Sequence, residues 1–213
     1  MTKYFIDTEF VDTGREIDLI SIGIAVEDGR ELYLQSVEFD IDKADPWVVE
    51  NVMPHLALCP HMKEHTGPYN DISNDLLMHN KGQCTFERPI QSIAGFQDPN
   101  WAGQLIIGAH TDCFWRTRTQ IRDEIQNLIR YSNYGGPPEF IGWCAGYDFV
   151  VLCQLFGGMM ALPQGWPHYI IDIQQILDER GISDDQLPQQ AGTAHNALED
   201  ARHIERLWEY LHD

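Results

Sequence analysis

Positive charge is scarce in this chain. Its 213 residues carry 14 Lys+Arg against 33 Asp+Glu, a formal net charge of −19. A protein that coats long nucleic acid needs a basic footprint, and docking on an anionic membrane surface needs one too, so both roles are disfavoured. Cysteine offers no framework either. The five residues, at positions 59, 84, 113, 144 and 153, show no short paired spacing, and their odd number leaves one over. Free thiols in a reducing, cytoplasmic setting are expected. The N-terminus, MTKYFIDTEF, lacks an apolar core and a small-residue cleavage site, so no secretion signal is expected. Repeats and low-complexity tracts are also lacking. One stretch is poor in charge: Phe140 to Pro163 holds only Asp148. It is interrupted by Gly142, Gly146, Gly157 and Gly158, and an unpartnered Asp is costly near a bilayer centre. A buried strand, a turn and a buried helix account for it better.

With 43% apolar and 22% charged residues, the chain has the composition of a globular protein, and it is long enough for one large domain. Lys3–Phe10, Leu19–Val26 and Glu31–Phe39 read as three strands, the last two separated by an Asp28-Gly29 turn. Short links imply an antiparallel meander. Asp45 suits an N-cap and Pro46 the first position of a short helix. From about 59 to 111 no period persists, and this segment reads as an insertion in a single domain spanning 1–213. Helical spacing resumes after Trp115, with Ile121, Ile125, Leu128 and Ile129 on one face through Tyr131. Then follow a strand over Phe140–Ala145, a helix over Phe149–Phe156 stopped by Gly157-Gly158, and a strand over Tyr169–Asp172. A helix over Ile173–Arg180 closes at Gly181, and a last helix runs over Asn196–His212. The expectation is an α/β fold with a mixed sheet, its first three strands antiparallel and flanked by helices.

Three short elements carry chemistry. In Phe5-Ile6-Asp7-Thr8-Glu9-Phe10, two carboxylates two residues apart project from one face of a strand. Adjacent acids among apolar neighbours repel and resist burial, which a divalent ion with oxygen ligands would relieve. Taken alone, the pair reads first as a solvated strand end, because acid-x-acid arises by chance at about five positions in so acidic a chain. In Gly146-Tyr147-Asp148-Phe149, Asp148 opens a helix after a strand, where an N-cap is the plain reading. In Ala194-His195-Asn196-Ala197-Leu198-Glu199-Asp200, Asn196 and Glu199 have capping-box spacing. That leaves His195 on the loop outside the helix and Asp200 in its second turn.

Taken together and in this order, the three elements resemble the DEDDh branch of the DnaQ-like 3′–5′ exonucleases, which have a ribonuclease H-like fold. Within that group the chain looks most like the polyadenylate-specific 3′-exoribonuclease AS family. The segments responsible are FIDTEF (5–10), LISIG (19–23), WRTRTQIR (115–122), GYDFVVLCQL (146–155), MALP (160–163) and HNALEDAR (195–202). Nothing carries over onto the 59–111 insertion. The resemblance implies that Asp7, Glu9, Asp148 and Asp200 bind two Mg²⁺ or Mn²⁺ ions and that His195 takes the proton from an attacking water. Imidazole is the side chain suited to proton transfer near neutral pH. It further implies hydrolysis of single-stranded RNA from the 3′ end to nucleoside 5′-monophosphates, a preference for adenosine-rich tails, and a homodimer. Thr8, Phe10, Ile20 and Ser21 are expected to line the terminal nucleotide, with core packing as the competing role for Phe10 and Ile20.

The same chemistry on DNA or on short oligonucleotides is an alternative, as is a non-catalytic interaction protein on the same fold. The latter is disfavoured because all five catalytic positions are filled. Arg116, Arg118 and Arg122 form a local positive concentration that either steers phosphates, sits at a subunit interface or is simply a solvated helix face. Cys59, His61, His65, His79 and Cys84 lack zinc-site spacing, so zinc is not expected there.

Overall fold

The computed structural model describes residues 1–57, 106–107, 114–132 and 136–212. Most of the expected 59–111 insertion, with Cys59, His61, His65, His79 and Cys84, lies outside the described residues. Three long strands open the chain: β1 (Lys3–Asp12), β2 (Ile17–Val26) and β3 (Glu31–Ser36). They pair antiparallel in sequence order, as the meander reading requires. Eight of the ten β2 residues are buried, because a central strand covered on both faces must be apolar on both. A short helix, α1 (Pro46–Asn51), follows. Its N-cap is Asp45, whose carboxylate accepts a hydrogen bond from the Val48 amide.

Two short strands, β4 (Ile106–Ile107) and β5 (Trp115–Arg116), run parallel to β3 along its outer edge, one beside each end. Trp115 and Arg116 are therefore extended, and the helix expected from Trp115 begins later, as α2 (Arg118–Ser132). Thr117 and Gln120 form the boundary. The Thr117 hydroxyl accepts from the Gln120 amide, and the Gln120 side chain accepts from the Thr117 amide. Strand β6 (Glu139–Gly142) then enters parallel to β1, helix α3 (Gly146–Leu155) follows, and β7 (Ile171–Asp172) lies parallel to β6. Helix α4 (Ile173–Arg180) ends at Gly181 in the left-handed conformation (φ +65°), and α5 (Ala197–His212) completes the chain.

Among the described residues the sheet has seven strands in the order β4-β3-β2-β1-β6-β7, with β5 also on β3. It is a mixed α/β architecture compatible with a ribonuclease H-like fold. Helices α2 and α3 cover one face, where Ile121, Ile125, Leu128, Val151 and Leu152 pack against Tyr4, Ile6, Ile22, Ile24, Leu32 and Leu34. Helices α4 and α5 cover the other, where Ile173, Leu177, Ala201, Ile204, Leu207 and Leu211 pack against Phe5, Ala25 and Ile141. Among the described residues no helix is long and apolar enough to cross a membrane.

One contact fixes how closely α5 approaches the sheet. Gly23 lies opposite Asp7 in the β1–β2 register. A Cβ built on it would fall 2.2 Å from the carbonyl carbon of Ala197 and 2.3 Å from the nitrogen of Leu198. The first turn of α5 thus rests on the bare backbone of β2. These are backbone atoms, so no rotamer change can make room. Gly23→Ala is expected to cost about 1–3 kcal/mol through overpacking, read as a fall of several degrees in Tm in thermal unfolding followed by circular dichroism.

Candidate active site

A cleft of about 650 Å³ lies along the C-terminal half of β1 and just past the carboxyl end of β6, on the side of the strands where open α/β sheets usually bind ligands. Asp7, Glu9, Asp148, His195 and Asp200 all line it. Asp7 and Glu9 come from β1, Asp148 from the first turn of α3, and Asp200 from the first turn of α5. One carboxylate oxygen from each of Asp7, Glu9 and Asp200 lies within 4.8 Å of the others. That donor set is all oxygen and suits a hard divalent cation.

Asp148 does not cap its helix. Ala145 is the N-cap and makes no side-chain capping bond. The Oδ1 atom of Asp148 instead accepts hydrogen bonds from the Thr8 amide (2.8 Å) and the Thr8 hydroxyl (2.6 Å). The reason is topological. Strand β6 pairs with β1 only over Lys3–Phe5, so the Thr8 amide on that side has no strand partner and takes a carboxylate instead. Thr8 is buried and spends its hydroxyl on Asp148 while lining the cleft between the two acids of β1.

The acids crowd one another. Burial pushes Asp7 well above the usual carboxylate range, and the charges of Asp148, Glu9 and Asp200 push it further. Burial, with Asp200 and Asp148, raises Glu9 to about 8. Asp148 rises to about 6 through burial, with the two Thr8 bonds holding it down. Asp200 is raised by burial as well, against an amide bond from Gln190 and the proximity of His195.

His195 sits just ahead of α5 with φ +64°, a conformation uncommon outside glycine. Asn196 follows as the cap, its Oδ1 accepting from the Glu199 amide at 3.2 Å and its Nδ2 donating to the His55 carbonyl. The imidazole meets Trp47 of α1 edge-on, with ring centroids 4.9 Å apart. Phe10 meets Tyr147 in a similar edge-on pair at 5.5 Å. All four rings line the cleft, and Trp47 and Tyr147 are about half exposed.

Two expected substrate contacts lie elsewhere. Ile20 and Ser21 have no exposed surface and do not line the cleft. The register explains Ile20: Glu9 pairs with Ser21 and Phe10 with Leu19, so Ile20 is the extra residue of a bulge. It points into a second cluster with Val11, Val48, Met53 and Trp115. Ser21 is sealed opposite Glu9. The arginines expected to gather positive charge are each beside an acid: Arg116 with Glu124 (2.8 Å), Arg118 with Asp18, and Arg122 with Asp123 (2.6 Å). None of them lines the cleft.

Trp47, Tyr147, Gln190 and His203 also line the cleft and were not singled out from the sequence. His203 was legible, three residues past Asp200 on the same face of α5. Tyr147 adjoins Asp148, and Trp47 follows a readable cap. Gln190 lies in a loop without a signal. Among the described residues no Lys or Arg lines the cleft, whereas Asp12 and Asp45 add two further carboxylates at its edge.

Comparison with known proteins shows the family. Residues 95–212 match the model of the Rv2179c-like 3′–5′ exoribonuclease domain, a span that includes Asp148, His195 and Asp200. The chain belongs to this family. It is also 32% identical over 200 residues to two Mycobacterium tuberculosis proteins, 3′-5′ exoribonuclease Rv2179c of strain H37Rv and 3′-5′ exoribonuclease MT2234.1 of strain CDC 1551. Each alignment covers 94% of this chain and 87% of the relative. As a member of this exoribonuclease family, the protein is an enzyme of the RNA-hydrolysing class.

The raised carboxylates have a consequence without any ligand. A group whose folded pKa lies above its unfolded value supports folding below the unfolded pKa and loses that support as pH rises through the folded one. For Glu9 the loss runs from about 4.5 to about 8. The ion-free protein is therefore expected to lose thermal stability as pH climbs from 5 to 8. Glu9→Gln should raise its Tm by several degrees at pH 8 and change it little at pH 5, as measured by calorimetry.

Proposed function

We propose that the protein is a divalent-ion-dependent 3′–5′ exoribonuclease of the DEDDh type, releasing nucleoside 5′-monophosphates from the 3′ end of single-stranded RNA. The observation that carries this reading is the convergence of four carboxylates with His195 in a cleft that, among the described residues, has no Lys or Arg. A polyanion cannot enter such a cleft unless cations accompany it. Asp7, Glu9, Asp148 and Asp200 are the residues that would hold Mg²⁺ or Mn²⁺, two ions in all. When bound, these ions supply charge neutralisation at the scissile phosphate and activation of the attacking water.

The chain's own groups do the rest. His195, at the cleft mouth, takes the proton from the water, and its ring is steadied by the edge of Trp47. Gln190 donates to Asp200 and holds that carboxylate in one orientation. Thr8 does the same for Asp148. Phe10, Tyr147 and Trp47 offer aromatic surface on two sides for unstacked bases, each stacked base contributing about 1–3 kcal/mol. Stacking is tolerant of sequence, so a preference for adenosine-rich tails rests on the likeness to the polyadenylate-specific family. The homodimer and the cytoplasmic location rest on the same likeness and on the sequence respectively.

Three measurements test this reading. Labelled single-stranded RNA incubated with Mn²⁺ or Mg²⁺ should yield 5′-monophosphates, and EDTA should abolish the reaction. Asp7→Ala should remove activity below detection, and His195→Ala should lower kcat by about 10²–10⁴. Activity that persists in EDTA, or that is unchanged in Asp7→Ala, would overturn the assignment. Binding should show a shallow salt dependence, corresponding to only a few phosphate contacts. Rates on poly(A), poly(U) and a matched DNA oligomer separate base preference from sugar preference.

A further inference from the structure

Asp172 does not line the cleft, yet its carboxylate is the most heavily used acceptor near it. It ends β7, one strand beyond β6. Its Oδ1 accepts from the amides of Cys144 (3.0 Å) and Gln174 (3.0 Å), and its Oδ2 accepts from the amide of Ala145 (3.1 Å). The Gln174 bond is a normal N-cap of α4. The other two cross to a different element, the turn between β6 and α3.

That turn is tight. Cys144 adopts φ +49°. A Cβ on Gly142 would lie 2.5 Å from the Cβ of Ala145 and 3.2 Å from the Ile6 carbonyl oxygen. Helix α3 brings no side-chain cap of its own, so Asp172 satisfies the amides at its start. Asp148 follows three residues after Ala145 and is seized by Thr8 at its far end. The path from Asp172 to the cleft is thus one turn of backbone held at both ends.

The residue type supports a role beyond capping. Placing another carboxylate near four crowded acids is electrostatically adverse, and Asp172 is among the charges that raise Asp148. A cap alone would be met by Ser, Thr or Asn without that cost. Serving three amides on two elements requires two acceptor oxygens on one short side chain, which Asp has and those residues lack.

We propose that Asp172 is a positioning residue: by holding the Cys144 and Ala145 amides it fixes where α3 begins and hence where the Asp148 carboxylate stands relative to Asp7 and Glu9. The proposal rests on the reading of those acids as the ion-binding hydrolytic site.

The test compares the full-length protein with Asp172→Ala, Asp172→Ser and Asp172→Asn. The serine variant keeps a cap for α4 and loses the crossing bonds, and it carries the test if the alanine variant does not fold. Hydrogen–deuterium exchange of the Cys144 and Ala145 amides reads the turn directly. Calorimetric titration with Mn²⁺ alone reads the acid cluster, and kcat and KM on a short RNA read the reaction. In the serine variant both amides should exchange about tenfold faster or more, Mn²⁺ affinity should fall about 10–100-fold, and kcat should fall with KM nearly unchanged. Asp172→Asn, with one acceptor oxygen left, should lie between. Exchange at the wild-type rate overturns the proposal, as does faster exchange with unchanged Mn²⁺ affinity and kcat. If the unmutated protein itself neither binds Mn²⁺ nor cleaves RNA, it is the functional reading that falls, and the exchange rates still report whether Asp172 holds the turn.

Discussion

Four carboxylates drawn from three distant parts of the chain cannot share one cleft without a cost, and the construction around them answers that repulsion. Burial raises the pKa of all four, and the charges of the other acids add to it at Asp7 and Glu9, so protonation or separation would relieve them. They are kept together by bonds that have little to do with their own preference. Thr8 grips Asp148 with two donors, Gln190 grips Asp200, and the backbone of β1 fixes Asp7 and Glu9 two residues apart. A site held under such tension is poised for a cation.

The tension is carried by packing. Helix α5 delivers Asp200 and His195 to β1 only because Gly23 leaves nothing between its first turn and the sheet. The helix is secured further along by Arg202, which bonds Glu31 at the start of β3 and Glu199 one turn back. Below these, Ala201, Ile204, Leu207 and Leu211 bury its apolar stripe. Each buried leucine or isoleucine contributes about 1.5–3 kcal/mol. The apolar stripe therefore supplies the stability against which the acidic end is strained, a division of labour common where stability and activity compete.

Much of this was legible in the amino-acid order. The buried periodicities of α2 and α5, the Asp45-Pro46 and Asn196 caps and the three-strand meander all follow from local rules that the tertiary structure obeys. The five acid and histidine positions that line the cleft stood out for another reason: their types and order resemble those of the DEDDh exonucleases. What the sequence hid was non-local. Ile20 reads as one more strand residue, and only the pairing of Phe10 with Leu19 reveals the bulge that turns it away. Trp115 continues a helical pattern, yet it is captured as an edge strand by β3. Asp148 has the look of an N-cap, because the free Thr8 amide that claims it lies 140 residues away. Arg118 looks unpartnered in sequence because Asp18, which meets it, is 100 residues distant.

The net charge of −19 then acquires a meaning. Repulsion between an acidic surface and RNA weakens every contact remote from the cleft, so affinity must come from the few nucleotides that reach it. There the described side chains provide aromatic faces and carboxylates instead of phosphate-binding cations. An enzyme so built has little hold on the body of a strand and interacts with its end. A basic rim would lengthen residence on the strand, but it would also place fixed cations beside the carboxylates that are proposed to hold divalent ions.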